Sequence, residues 1–184
     1  MASLRAAKAN GVRTIMFTSD NFNKFPEAAA LLQAMIDEKL GLSFFVQCDT
    51  QIARQENLVA LLGKAGCFQM FVGLESFNRQ TLLAAHKGQN RPETYRDILR
   101  LCRENGISSH FSNIIGFPQD TEHSIHEHLH LLRELAPTWA SFYILCPIPG
   151  TEQYDDFFSE GLITESNLDR FDTTSLTWHH RSLI

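Results

Sequence analysis

The chain has no apolar run that approaches the roughly 20 consecutive residues a membrane helix needs. It has no excess of positive charge either. The 16 Lys and Arg stand against 21 Asp and Glu, a net charge of −5, so this segment carries no basic footprint for nucleic acid. Closely spaced cysteines are missing. Cys48, Cys67, Cys102 and Cys146 are too far apart for a metal knuckle or a redox pair and read as reduced structural thiols. Cys48 and Cys146, at strand ends, are the two candidates for a reactive one. The opening Met1-Ala2-Ser3-Leu4-Arg5 lacks the apolar core of a signal peptide, and the expected location is cytoplasmic. No G-x-G-x-x-G follows a strand, so a dinucleotide-binding fold lacks its main mark.

What is present is a repeated alternation of strand and helix. With 184 residues, 43% of them hydrophobic, the chain can bury one substantial core. Residues 12–18 form an apolar, β-branched strand. Pro26 opens a helix whose stripe is Leu31, Leu32, Met35, Ile36 and Leu40. Residues 42–46 are the second strand. A helix marked by Leu58, Leu61 and Leu62 follows and closes at Gly63 and Gly66. Residues 68–74 are the third strand, and a longer connection through Lys87-Gly88 leads to a helix starting at Pro92. The fourth strand covers 107–115. Asp120 or Thr121 caps the next helix, with Ile125, Leu129, Leu132 and Leu135 as its apolar face. The fifth strand is 140–145, and 153–161 is a short helix. Crossovers of this length force parallel pairing, giving an α/β fold. The architecture that fits best is a partial (β/α)6 TIM-type barrel, five parallel strands with helices outside. An open doubly wound sheet is the alternative.

Three strand ends carry residues suited to a ligand rather than a core. They read Phe71-Val72-Gly73-Leu74-Glu75-Ser76, then Asn113-Ile114-Ile115-Gly116-Phe117-Pro118-Gln119-Asp120-Thr121, then Leu145-Cys146-Pro147-Ile148-Pro149-Gly150-Thr151. In a parallel α/β protein these tips face one way and form one pocket. Gln47 and Asp49 occupy another tip, where substrate is one reading. Glu75 also reads as a partner for Arg79 one helical turn on. Phe22, Phe117 and Tyr154 stand where stacking on a base is plausible.

Together with Phe17-Thr18-Ser19-Asp20-Asn21-Phe22, Ala65-Gly66-Cys67 and Thr151-Glu152-Gln153-Tyr154, these segments resemble a radical S-adenosylmethionine (SAM) enzyme. The kind it is similar to carries a cobalamin-binding domain upstream. The likeness runs from about residue 11 to residue 172. It implies that Asp20 and Asn21 hold the methionyl amino and carboxylate groups of SAM. It places Glu75 and Ser76 near the ribose, Ile115, Gly116 and Phe117 along the adenine, and Cys146, Pro147 and Ile148 at the adenine edge. It further implies a [4Fe–4S] cluster, an electron donor, and cobalamin on the upstream domain. An electron from the cluster would cleave SAM to methionine and a 5′-deoxyadenosyl radical, which takes hydrogen from a substrate the sequence does not name.

The C-x-x-x-C-x-x-C run that binds the cluster in such enzymes is absent. The expectation is therefore a fragment of a longer enzyme: residues 1–172 as part of the barrel, and 173–184 as a truncated continuation. This polypeptide alone is then expected to be inactive. A non-catalytic barrel that binds SAM or another nucleotide is a second reading. A third rests on His126-Glu127-His128-Leu129-His130, which matches the H-E-x-x-H of zinc hydrolases, with His123 nearby and Glu152 or Glu160 as the third ligand. With Ile125, Leu129 and Leu132 buried, that histidine row lies at the edge of its helix, outside the barrel.

Overall fold

A computed structural model describes residues 1–183; Ile184, the last residue of the expected continuation, lies outside the described residues. Five strands are present: β1 (Thr14–Met16), β2 (Ser43–Cys48), β3 (Cys67–Glu75), β4 (Ser108–Ile115) and β5 (Trp139–Ile144). They pair in parallel in the order β1-β2-β3-β4-β5. The helices are α1 (Ala2–Ala9), α2 (Ala28–Asp37), α3 (Glu56–Ala65), α4 (Arg79–Ala84), α5 (Tyr95–Glu104), α6 (Glu122–Leu135) and α7 (Glu152–Ser159). A doubly wound sheet reverses its strand order at a switch point. This sheet never reverses, so its strands follow one another round as in the expected partial barrel.

The core fills one side of the sheet. Phe44, Val46, Met70, Val72, Leu74 and Phe111 point outward and are fully buried against Leu32, Val59, Leu62, Ile98 and Cys102 of the helices. The alternate residues, Phe45, Gln47, Gln69, Phe71 and His110, turn to the concave side, where burial is partial. This is the period-two split of a strand with only one face covered.

Three expectations need correction. The first strand is shorter than 12–18, because only Thr14–Met16 pair with β2. Gly63 does not close α3 but lies inside it, where a Cβ would come 2.5 Å from the Asn105 carbonyl oxygen; its role is the close approach of the chain after α5. On α6 the buried residues are His128, Leu132 and Leu135, while Leu129 is 41% exposed. A polar residue occupies the stripe because its imidazole finds a buried partner in Asn113.

α4 escaped the periodicity reading, being only 6 residues long; Asn78 caps it by accepting from the amides of Gln80 and Thr81. Thr121 caps α6 in a reciprocal box with Ser124. Residues 173–183 pack back on the strand ends. The Trp178 indole N–H donates to the Leu145 carbonyl at 2.9 Å, and His180 Nε2 lies 2.8 Å from the Phe117 carbonyl. Trp178 joins Phe117, Leu145 and Phe157 in a second small core.

Gly66 ends α3 with φ +105°, and a Cβ there would stand 2.5 Å from the Leu42 carbonyl oxygen. Gly66→Ala therefore meets both a disfavoured backbone angle and backbone that cannot yield cheaply. We expect a loss of about 1–3 kcal/mol in urea denaturation.

Candidate functional site

The strand ends of β1, β2 and β3 surround a cleft of about 250 Å³ lined by Asp20, Asn21, Asp49, Glu75 and Lys87 among others. Asp49 is fixed at its mouth. Its Oδ1 accepts from Asn23 Nδ2 at 2.8 Å and from the Gln51 amide at 3.0 Å, and its Oδ2 lies 2.6 Å from Lys24 Nζ. Gln47 lines the same cleft, so both residues of the β2 tip face it.

Glu75 is the most constrained residue here. Its φ is +68°, rare for a side chain with a Cβ, and the ladder between β3 and β4 shifts register between Gly73 and Glu75. Asn90 holds this turn: its Nδ2 donates to the carbonyls of Gly73 and Leu74, both at 2.9 Å. The buried Tyr95 hydroxyl bridges the carbonyls of Leu74 at 2.9 Å and Ser76 at 3.0 Å. Thr50 donates to Asn90 Oδ1 at 2.9 Å, which ties the clamp to the segment after β2.

The Glu75 carboxylate lies back over Gly73, where a Cβ would come within 2.7 Å of its Oε1. Burial pushes its pKa up against the opposing pull of Lys87. Lys87 Nζ is 3.8 Å from Oε1, an ion pair too long for a hydrogen bond, so the carboxylate keeps its acceptor capacity for the cleft. Arg79 does not pair with Glu75. It turns away to the carbonyls of Gly88 at 3.0 Å and Asn90 at 2.6 Å, steadying the segment that carries Lys87 and Asn90.

The other expected site residues lie apart from this group. Ser76 and Ile115 line a smaller cavity of about 160 Å³ against α6, and the Ser76 hydroxyl oxygen accepts from the Asn78 amide at 3.0 Å. Phe117 and Cys146 line a third hollow of about 400 Å³ beside α7. Pro147 is buried next to Cys146. Gly116 has φ +91° with open space where a Cβ would stand. The amides of Gly116 and Phe117 both donate to Asp120 Oδ2 at 2.9 Å. The Ile115 carbonyl accepts from the Leu145 amide at 2.8 Å. That tip therefore presents a smooth backbone surface rather than free amides.

Of the aromatic candidates, Phe22 and Phe117 are buried at 1% and 3% exposure, and Tyr154 stacks on Phe158 with centroids 6.1 Å apart. Lys87 and Asn90 were missed in the sequence. Their only signal was Lys87-Gly88-Gln89-Asn90, a polar run ahead of Pro92.

Neither the cluster nor the zinc site finds its ligands among the described thiols and histidines. Among the described residues, no group of three His, Cys, Asp or Glu converges to hold a metal ion. Burial pushes the thiols of Cys67 and Cys102 up to about 12, and Cys48 is raised in the same way. Protonated, separated thiols do not fit a [4Fe–4S] cluster. His126 and His130 point to solvent, within 3.9 Å of Glu122 and 3.4 Å of Glu134 respectively. They do not form the proposed zinc site with Glu152 or Glu160.

A partial (β/α) barrel with an ionic cleft at its strand ends is the class of protein this geometry defines. The model for the radical SAM superfamily matches residues 1–132, and the chain belongs to that superfamily. Among curated relatives, bacteriochlorophyllide d C-8(2)-methyltransferase of Chlorobaculum tepidum is 28% identical over 92% of this chain and 38% of that enzyme. Anaerobic magnesium-protoporphyrin IX monomethyl ester cyclase of Rubrivivax gelatinosus is 27% identical over 70% of this chain and 22% of that enzyme. The chain thus spans well under half the length of these relatives. The fold matches the radical SAM methyltransferase TsrM of Kitasatospora setae, solved with cobalamin and a [4Fe–4S] cluster. The TM-score is 0.79 at 22% identity, covering 90% of this chain and 32% of that one. OxsB, a cobalamin-dependent SAM radical enzyme, superimposes over 98% of this chain and 33% of its own at a TM-score of 0.66 and 16% identity. These neighbours are of the cobalamin-associated kind. No helix among the described residues is long and apolar enough to cross a membrane.

His128, behind the tips, yields a pH test. Asn113 Nδ2 donates to the carbonyls of Phe111 and Ser141, so its Oδ1 must accept from His128 Nε2–H at 3.0 Å. Burial lowers the pKa from 6.5 to about 4. The folded imidazole is neutral while the unfolded one takes a proton near its ordinary value. Its contribution is thus complete above about pH 6.5 and lost as pH falls toward 4, up to about 3 kcal/mol. Denaturation of wild type and His128→Asn across pH 4–7.5 should show the variant with the flatter profile in that window.

Proposed function

We propose that this chain is the SAM-holding part of a radical SAM enzyme that acts together with segments beyond these residues. The observation that carries the reading is the single cleft joining Asp20 and Asn21 to Glu75 and Lys87 at the strand ends. SAM brings an ammonium, a carboxylate, a sulfonium and a ribose diol. Asp20 and Asn21 take the methionyl ammonium, and Lys24 or Lys87 its carboxylate. Glu75, buried and without a hydrogen-bonding cation, accepts from the two ribose hydroxyls. The adenine lies along the Ile115–Gly116–Phe117 backbone, whose amides are already committed to Asp120, and reaches toward Cys146 and Pro147. Ser76 stands beside Glu75 near the ribose, its hydroxyl oxygen accepting from the Asn78 amide.

When bound and reduced, SAM supplies a 5′-deoxyadenosyl radical, or serves as the source of a methyl group. The chain's own residues bind and orient it and exclude water. The thiols present do not fit the cluster, so its ligands are assigned to cysteines outside this chain, with cobalamin on a further domain and an external electron donor. The named relatives are methyltransferases and a cyclase, which favours carbon-directed chemistry, with methyl transfer as the first reaction to assay. The reading of a non-catalytic barrel shares the cleft and differs only in the missing reductant.

Gly73→Ala tests the cleft. The added methyl meets the flexible end of Glu75, so folding stability should stay within about 0.5 kcal/mol while the carboxylate moves. SAM affinity by calorimetry should fall about tenfold or more, as it should for Glu75→Gln. Unchanged affinity in both variants would sink the assignment. Anaerobic treatment of this chain with iron and sulfide should give no 4Fe–4S absorption band.

A further inference from the structure

Below the cleft, the concave face carries a hydrogen-bonded row that the SAM reading does not use. Gln69 Nε2 lies 2.8 Å from His110 Nδ1, and His110 Nε2 lies 2.5 Å from Ser141 Oγ. The three residues sit on β3, β4 and β5, on the side away from the helices. The Phe71 ring stands edge-on to His110 with centroids 4.9 Å apart, and Phe45 lies 6.4 Å beyond Phe71. Phe71 also lines the SAM cleft, so the floor and the cleft are continuous.

Two properties of the floor select a ligand. Phe45 and Phe71 supply aromatic surface on β2 and β3, and the hydrogen-bonding row runs beside them from Gln69 on β3 through His110 to Ser141 on β5. Its strand residues below Glu75 carry no Asp, Glu, Lys or Arg, and burial lowers the pKa of His110. The floor therefore has no counter-charge to offer an ionic group but a face for a ring and a polar rim for its edge.

The row also has a direction that one amide can reverse. With Gln69 Nε2 donating to Nδ1, His110 Nε2–H donates to Ser141, whose own O–H is left to donate outward. With the amide turned over, His110 Nδ1–H donates to Gln69 Oε1 and Ser141 donates to Nε2, leaving the oxygen's lone pairs outward. Ser141 can thus meet either a donor or an acceptor.

We propose that this floor is the substrate subsite for a neutral, planar aromatic ring with a hydrogen-bonding heteroatom at its edge. Ser141 receives that edge, and His110 and Gln69 are positioning residues. The proposal deepens the reading of the chain as a radical SAM component and rests on it, since the ring would lie beside the SAM cleft.

The probes are 2-naphthol and naphthalene, which share a ring and differ by one hydroxyl. Titrations followed by ligand fluorescence should show 2-naphthol binding about fivefold to tenfold tighter. Ser141→Ala should abolish that preference while leaving naphthalene unchanged, and Ser141→Thr should keep it. In ¹⁵N spectra the His110 ring signals should move with 2-naphthol and not with naphthalene, a response that a merely structural imidazole would not give. Equal affinities in the wild type, equal weakening of both probes by Ser141→Ala, or unmoved His110 signals would each overturn the proposal. SAM titrated into the same samples separates the two readings. SAM binding without a naphthol preference defeats the floor alone, and a preference without SAM binding defeats the cleft alone.

Discussion

The left-handed turn at Glu75 is the constraint on which the site depends. A strand left to itself would continue its ladder and send that carboxylate out along the sheet. Here Asn90 and Tyr95 take the carbonyls of Gly73, Leu74 and Ser76 that the broken ladder releases, and Thr50 holds Asn90 in place. Thr50, Asn90 and Tyr95, the side chains of that clamp, are all buried, so an unmade bond would cost about 1–3 kcal/mol. The turn persists because the alternatives are worse. Its result is a carboxylate laid back over a glycine, facing the ends of two other strands.

The two faces of the sheet divide the work. Outward residues and the helices supply the cohesive energy, while the concave residues remain half-exposed and chemically varied. Charge is concentrated at the rim, in Asp20, Asp49, Glu75, Lys24 and Lys87, and is missing from the floor beneath. A ligand with an ionic end and a neutral ring-bearing neighbour matches that gradient. The tail adds a second layer, since Trp178 and His180 occupy the carbonyls of Leu145 and Phe117 that would otherwise be open at the β4 and β5 tips.

Most of the architecture was legible in the sequence because its periodicities are strong. Leu32, Met35, Leu62, Ile98 and Cys102 fall where helical spacing puts them, although on α3 Val59 is buried where Leu58 and Leu61 were expected, and the strand runs give the parallel order once the crossover lengths are counted. The family likeness came from strand-tip residues in sequence order; the superfamily match covers residues 1–132, which includes the tips of β1, β3 and β4 but not the segment after β5. Side-chain facing was less legible. Leu129 and His128 compete for one position on α6, and hydropathy favours the leucine; only the distant Asn113 decides for the histidine. The same holds for Arg79, which spacing pairs with Glu75 but which two backbone carbonyls capture instead. Lys87 and Asn90 sit in a loop, where no period exists to read. The Gln69–His110–Ser141 row is spread over three strands and is invisible until their register is known.

The five-stranded arc has two rims. β1 and β5 each have a neighbour on one side only, and beside them Met16 and Trp139 are 53% and 61% exposed. Such rims offer unpaired backbone donors and acceptors next to apolar surface, the combination that templates strand addition. A parallel strand presented there by another polypeptide would extend the curvature already set by the inner three strands. The described chain is thus an open arc with a strand edge at each end.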